Sequence, residues 1–186
     1  TAVVNAFTSD TVNGVAAAPG NAILSLAPGA TVPAGLSFDP VTGNVDVAAG
    51  TPAGNYRFDY QICERLNPTN CTTATIRVSV VAAAIVADPD GVSGINGATG
   101  GNDVLDVLDG DTLNGVPATL TNVDLTVETP ATSINGGPVP ELDTSTGLVS
   151  VPAGTPAGTY TIGYQICDKV NPTNCATNIA TIEVVP

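Results

Sequence analysis

The stretch that decides the fold occurs twice. Val45–Cys71 reads VDVAAGTPAGNYRFDYQICERLNPTNC, and Val149–Cys175 reads VSVPAGTPAGTYTIGYQICDKVNPTNC. The two segments are identical at 18 of 27 positions, at a constant offset of 104 residues. Weaker similarity upstream joins Ser9–Val15 (SDTVNGV) to Gly110–Val116 (GDTLNGV). The repeating unit is therefore about 100 residues long, the usual size of one β-sandwich domain.

Alternation of apolar and polar residues predicts strands in both copies. The runs Tyr56–Ile62 and Tyr160–Ile166 alternate with a period of two, which indicates strands that lie with one face against a core. The loops Asp39–Gly43 and Asp143–Gly147 are typical of hairpin turns, with an aspartate at the start and a glycine at the end. With 20 Gly, 15 Pro and abundant Val, Ile and Thr, the sequence predicts an all-β protein.

A returning strand follows the second cysteine of each copy. Matching Ile76 and Val78 to Ile182 and Val184 requires an offset two residues larger than that of the repeat. We therefore expect two extra residues in the second copy before its last strand. An insertion of two keeps the same side chains facing inward.

Composition and charge exclude several classes of protein. The hydrophobic fraction of 43% is too high for a disordered chain. With a net charge of −13 and four basic residues, binding to nucleic acid or to an anionic membrane surface is not expected. The longest apolar run, Val78–Ala87, is about half the length of a membrane span. A chain that begins at Thr1 and lacks Met is expected to be a processed form or an excerpt.

The four cysteines form two pairs with the same spacing. Cys63 and Cys71, like Cys167 and Cys175, flank an Asn-Pro-Thr-Asn loop. No His is available and the Cys-x7-Cys spacing fits no zinc pattern, while a catalytic thiol would lack a histidine partner. We therefore predict two local disulfides on the outer face of a hairpin, each stabilising its unit by about 2–3 kcal/mol. Disulfides indicate an extracellular protein.

Three segments resemble the tandem immunoglobulin-like (cadherin-like or fibril-type) repeats of large bacterial surface adhesins and fibrillar proteins. They are Pro33–Val47 (PAGLSFDPVTGNVDV), Val104–Gly115 (VLDVLDGDTLNG) and Ala153–Cys167 (AGTPAGTYTIGYQIC). The resemblance implies two tandem immunoglobulin-like β-sandwich domains, residues 1–83 and 84–186, in an elongated arrangement. It also implies a cell-surface rod or stalk whose partners are neighbouring repeats or copies of itself.

Aspartates concentrate at the start of the second copy, and they make calcium the one candidate cofactor. Cadherin-like repeats bind Ca²⁺ between domains, and Ca²⁺ takes six to eight oxygen ligands. The alternative is a set of turn-forming aspartates on a solvated acidic surface. The first copy lacks most of these residues. The predicted ligands are Asp88, Asp90, Asp106, Asp109 and Asp111.

No catalytic site is predicted. Without His or a free thiol, only carboxylates remain for acid–base chemistry, and Gly97–Gly101 lacks the lysine of a phosphate-binding loop. We expect a non-enzymatic structural segment of a bacterial extracellular fibre or adhesin stalk. In the alternative, the loops Asn67–Asn70 and Asn171–Asn174 or the acidic cluster bind a host or surface glycan or protein.

The first copy is predicted to lack its first strand. Ala84–Gly101 precedes the second copy and should supply that strand, whereas Thr1 already aligns with Asn102. A sandwich without an edge strand leaves unpaired backbone groups and a hydrophobic groove. Either the sequence is an excerpt from a longer array, or a strand from a neighbouring molecule completes the sheet in a head-to-tail filament.

Overall fold

The structure, a computed structural model, describes residues 2–186, and its first unit ends at Val81. In the described part of this unit β1, β6 and β5 form one sheet, β4, β7 and β8 form the facing sheet, and β2 and β3 form a hairpin. The strands are β1 (Val4–Asn5), β2 (Thr11–Val12), β3 (Val15–Ala16), β4 (Ala22–Leu26), β5 (Leu36–Phe38), β6 (Asn44–Val47), β7 (Gly54–Glu64) and β8 (Cys71–Val80).

The second unit, Ala82–Pro186, repeats this order after two additional strands at its start. Its sheets run β11-β16-β15, β10-β18-β17-β14 and β13-β12-β9. Strands β11 to β18 correspond in order to β1 to β8, while β9 and β10 have no counterpart within residues 2–81. The strands are β9 (Ile85–Val86), β10 (Asp90–Asn96), β11 (Gly101–Asp106), β12 (Thr112–Leu113), β13 (Val116–Pro117), β14 (Val123–Thr129), β15 (Glu141–Asp143), β16 (Leu148–Val151), β17 (Gly158–Asp168) and β18 (Cys175–Val185).

The core of each unit lies between its two larger sheets. On β17 the tyrosines and isoleucines of the alternating run are all buried, and they pack against Val123 and Val149. On β7 the matching run packs against Leu24 and Val45. The predicted fold class is therefore confirmed, since the chain forms two tandem immunoglobulin-like β-sandwiches. None of the described residues forms a helix that could cross a membrane.

The register of the last hairpin corrects one expectation. In the first unit the pairing of β7 with β8 is continuous from Gly54 to the disulfide, and in the second unit that of β17 with β18 is continuous from Gly158 to the disulfide. A single offset of 104 residues therefore relates β8 to β18, and the predicted two-residue insertion is wrong. The prediction matched Ile76 to Ile182 because both are isoleucines. In the structure the counterpart of Ile76 is Ala180, and the counterpart of Val78 is Ile182.

The Asp-to-Gly loops form the predicted hairpin turns. In the first unit Asp39 accepts hydrogen bonds from the N–H of Val41 at 2.8 Å and the hydroxyl of Thr42 at 2.7 Å. These bonds, that from Thr42 first, lower the pKa of Asp39. Gly43 closes the turn at a φ of 76°, where a side chain would also meet the ring of Phe7.

Candidate functional site

Three aspartates surround the hydroxyl group of Tyr164 in the second unit. The hydroxyl oxygen lies 2.8 Å from both Oδ2 of Asp90 and the carbonyl oxygen of Asp88. It lies 3.4 Å from each carboxylate oxygen of Asp111. Asp111 in turn accepts the N–H of Asp88 at 2.7 Å. The cluster thus fastens the start of β10 to β17 and to the loop before β12.

Burial dominates the electrostatics of this Asp–Tyr cluster. It raises the pKa of Asp111 to about 6, although the hydrogen bond from the N–H of Asp88 opposes the rise and the charge of Asp90 adds to it. Burial also raises the pKa of Asp90, and that of the Tyr164 hydroxyl. Asp111 is 1% exposed. The cluster therefore holds a proton more tightly than isolated carboxylates would.

The first unit contains a smaller version of the same arrangement. The Tyr60 hydroxyl lies 2.6 Å from Oδ2 of Asp10 and 3.2 Å from the carbonyl oxygen of Ala6. Burial, followed by the hydrogen bond to Asp10, raises the pKa of Tyr60. Asp10 is only half-buried, because within residues 2–186 no segment covers it as Asp88 covers Asp111. Sequence reasoning treated these tyrosines as core alone, although the repeat alignment carries an Asp and a Tyr at matching positions in both copies.

Calcium binding by the five predicted aspartates stays a prediction. Within residues 2–186 no group of three or more Asp, Glu, His or Cys side chains is arranged to hold a metal ion. Some of these carboxylates make local hydrogen bonds, since Asp111 accepts the N–H of Asp88 at 2.7 Å and Asp106 accepts the N–H of Leu108 at 2.9 Å. Asp88, Asp90 and Asp111 belong to the cluster around Tyr164, the Asp106 carboxylate bonds within its own turn, and Asp109 is exposed.

The structure joins Cys63 to Cys71 and Cys167 to Cys175. The partners are directly opposite each other in the two hairpins, with Cα atoms 4.0 Å and 4.1 Å apart. This spacing is typical of a non-hydrogen-bonded antiparallel pair. As predicted, the cysteines lie on the strand face opposite the core tyrosines. Cys63 is nevertheless buried and Cys167 half-buried, so this outer face is not fully exposed to solvent at the disulfides. Each bridge staples the end of its hairpin.

The Asn-Pro-Thr-Asn loops are built as turns. In the first unit the side-chain amides of Asn67 and Asn70 donate to Glu64 at 2.9 Å and 3.2 Å, and these bonds lower its pKa. In the second unit Asp168 accepts from Asn171 at 2.8 Å in the same way. The asparagines thus close the loop on a carboxylate at its base. Their repetition is explained by this shared turn without a repeated ligand.

The outer edge of the larger sheet differs between the units. In the second unit β10 pairs with β18 in parallel, whereas β8 is the edge of its sheet among the described residues. Val184 is 3% exposed, and its counterpart Val80 is half-buried. The next residue, Val81, is 83% exposed. Among the described residues, no strand therefore lies on the outer side of β8.

Comparisons with known proteins give structural neighbours only. No family model matches the chain, and no curated protein matches its sequence. The extracellular cadherin domains 3–6 of protocadherin gamma B2 share 13% identity at a TM-score of 0.42, with 89% of this chain and 42% of that chain covered. Drosophila N-cadherin EC1-4 shares 12% identity at a TM-score of 0.41, with 89% of this chain and 41% of that chain covered. Human protocadherin-24 EC1-2 shares 18% identity at a TM-score of 0.38, with 89% of this chain and 83% of that chain covered. This chain spans less than half of the first two structures.

Proposed function

We propose that this chain is a non-enzymatic structural segment of an extracellular fibre or adhesin stalk on a bacterial surface. The observation that carries the proposal is the repetition of one small sandwich, whose eight strands recur in the same order in the second copy, with its own core and its own disulfide in each copy. Repeated domains extend a protein by addition, because each brings its own stability to the array.

The disulfides support the extracellular location. Both bridges close short loops in domains that have few aromatic residues, only 4% of the chain. Such bridges persist only in an oxidising compartment. The carboxylates of Asp39, Glu64 and Asp143 are used in turns, and those of Asp10 and Asp90 in the Asp–Tyr clusters, which is the arrangement expected of polar groups that serve the fold of their own domain.

Replacement of the segment in its parent protein tests this function. Residues 1–186 are exchanged for an unrelated pair of β-sandwich domains of equal length, and target binding and the height of a distal epitope above the cell are measured. A stalk role predicts that both survive the exchange, whereas deletion of the segment lowers the epitope. If the exchange abolishes target binding while the protein is still displayed, the segment is a binding module and the proposal is wrong.

A further inference from the structure

We infer that the outer face of the first unit carries a binding site for a sugar acid, formed around Arg57 of β7 and Arg77 of β8. The ligand class is a carbohydrate that has a carboxylate group and free hydroxyl groups, such as a hexuronate. The site goes beyond the stalk role proposed above, because it gives one unit of the repeat a ligand of its own. It uses the face of the sheet and not its edge.

The two arginines are direct neighbours across the hairpin. Arg57 lies opposite Arg77 in the pairing of β7 with β8. The pair lies an even number of residues along the strands from the disulfide, so it is a non-hydrogen-bonded pair like the cysteines, in which the side chains are closest. Both side chains are exposed and line the same cleft. Two positive charges are therefore concentrated in one small area of the outer face.

This pair of like charges does not stabilise the fold. Like charges directly opposite each other on a sheet face destabilise the pairing of the strands. Within residues 2–186 neither guanidinium group forms a hydrogen bond or an ion pair with the protein. A carboxylate placed between them would remove the repulsion and could accept parallel N–H bonds from a guanidinium group. The pair therefore suits an anionic group supplied from outside the domain.

The arginines lie in a cleft of about 370 Å³. One wall is formed by the strand residues around them, and the other by Ala30 and Thr31 in the loop that follows β4. The volume lies within the range of small-molecule sites. A ligand of one or a few sugar rings thus has room to reach both guanidinium groups.

The polar groups beside the arginines favour a sugar acid over a simple anion. Asp59 and Thr75 form the next pair along the same face, and the Thr75 hydroxyl donates to Asp59 at 2.6 Å. The Asp59 carboxylate has acceptor positions beyond this one bond, since an ionised carboxylate offers about four. It would repel a sulfate or phosphate group but accepts hydrogen bonds from hydroxyl groups. A ligand with one carboxylate and several hydroxyls therefore matches the cleft.

The second unit lacks these groups. At the offset of 104 residues that relates the two hairpins, Thr161 and Thr181 stand at the positions of the arginines. Gly163 and Ile179 stand at the positions of the pair beside them. Thr161 and Thr181 are exposed although β10 lies beside β18, so this face stays open when a further strand is present. The site therefore does not depend on the edge of β8.

The distribution of charge also favours the first unit for an anion. Residues 1–81 contain five acidic and three basic side chains, whereas residues 82–186 contain twelve and one. Two of the three basic residues of the first unit form the pair. A negatively charged ligand is therefore repelled less by the first unit than by the second.

Titration with an oligosaccharide tests the site. The probe is a trimer of galacturonic acid, added to the intact chain at low ionic strength while the arginine Nε–H signals and the backbone amides are followed by NMR. We expect saturable shifts of the Arg57 and Arg77 signals, and no change at Thr161 and Thr181. The control ligand is the methyl ester of the same trimer, which keeps the hydroxyl groups and removes the charge. We expect it to bind at least about tenfold more weakly.

The matched control protein is R57T/R77T, which installs the residues that the second unit has at these positions and so retains the fold. We expect it to bind the trimer at least about tenfold more weakly. R65T removes a positive charge of the same unit outside the cleft and should bind as the native chain does. Equal binding of the methyl ester, unchanged binding by R57T/R77T, or equal binding of a peptide of three glutamates overturns the inference. The stalk role is tested separately, because the exchange experiment does not measure binding of this ligand.

Discussion

Replacing Asp111 with asparagine removes a buried negative charge but keeps the size of the side chain and its acceptor oxygen. The oxygen that accepts the N–H of Asp88 at 2.7 Å is retained, and the new amide group replaces Oδ2, which lies 3.4 Å from the hydroxyl oxygen of Tyr164. We therefore expect D111N to raise the free energy of unfolding of the second unit at neutral pH. The sign is unusual for a change at a fully buried, hydrogen-bonded residue.

The magnitude follows from the pKa of Asp111, which rises from an ordinary 3.8 to about 6 on folding. The folded unit then holds a proton that the unfolded chain has already lost, so its stability falls as the pH rises from about 4 to about 6. A rise of about two units corresponds to at most about 3 kcal/mol of lost stability at pH 7. D111N should recover up to this amount at pH 7 and almost nothing at pH 4.

Urea unfolding at a series of pH values, followed by a probe confined to the second unit, measures this difference. The control in the same unit is D143N. The pKa of Asp143 is lowered by hydrogen bonds from Ser145, so its contribution is present at neutral pH and is lost as the pH falls through the folded-state pKa. D143N should therefore destabilise the unit at pH 7. If D111N lowers the free energy of unfolding of the second unit equally at pH 4 and pH 7, the charged carboxylate of Asp111 does not destabilise the folded unit and the reasoning is refuted.

Three further predictions concern the first unit. Changing Cys63 and Cys71 together to serine should lower its free energy of unfolding by about 2.5 kcal/mol, since the bridge closes a separation of 8 residues, and calorimetry should show no change in the second unit. Placing a copy of Ala84–Gly101 before Thr1 should raise the melting temperature of the first unit, and an unchanged value would contradict the assignment of its open edge. G43A should destabilise the unit by about 1–3 kcal/mol, because Gly43 has a φ of 76° and an added Cβ lies 2.6 Å from the Phe7 ring; chemical unfolding that matches the native chain would refute this.

Local signals in the sequence were strong enough to give the strands, the hairpin turns and the cysteine pairs. The alternation over Tyr160–Ile166 places one apolar face on β17 whatever the neighbouring strands are, because successive side chains point to opposite faces. The loop Asp39–Gly43 is equally local, since its aspartate bonds to residues within three positions. The internal repeat then doubled each of these signals.

The acidic cluster shows where such reasoning stops. Proximity of five aspartates in the chain predicted calcium ligands, whereas the contacts of Asp90 and Asp111 with the hydroxyl of Tyr164 were not foreseen. Asp111 and Tyr164 are 53 positions apart, and no local pattern joins them. The alignment of the last strand failed for a related reason, because similar side chains were matched where the hydrogen-bond register places others.

By itself the sequence determined that the chain is all-β, that it repeats one unit twice, and that each unit pairs its own cysteines. These properties depend on residues close together in the chain, or on identity between the copies. Only the tertiary structure decided that β10 runs parallel to β18 and that Asp111 is buried beside Tyr164. Each of these depends on which distant segments meet, and that is settled by backbone hydrogen bonding and burial across the whole sheet.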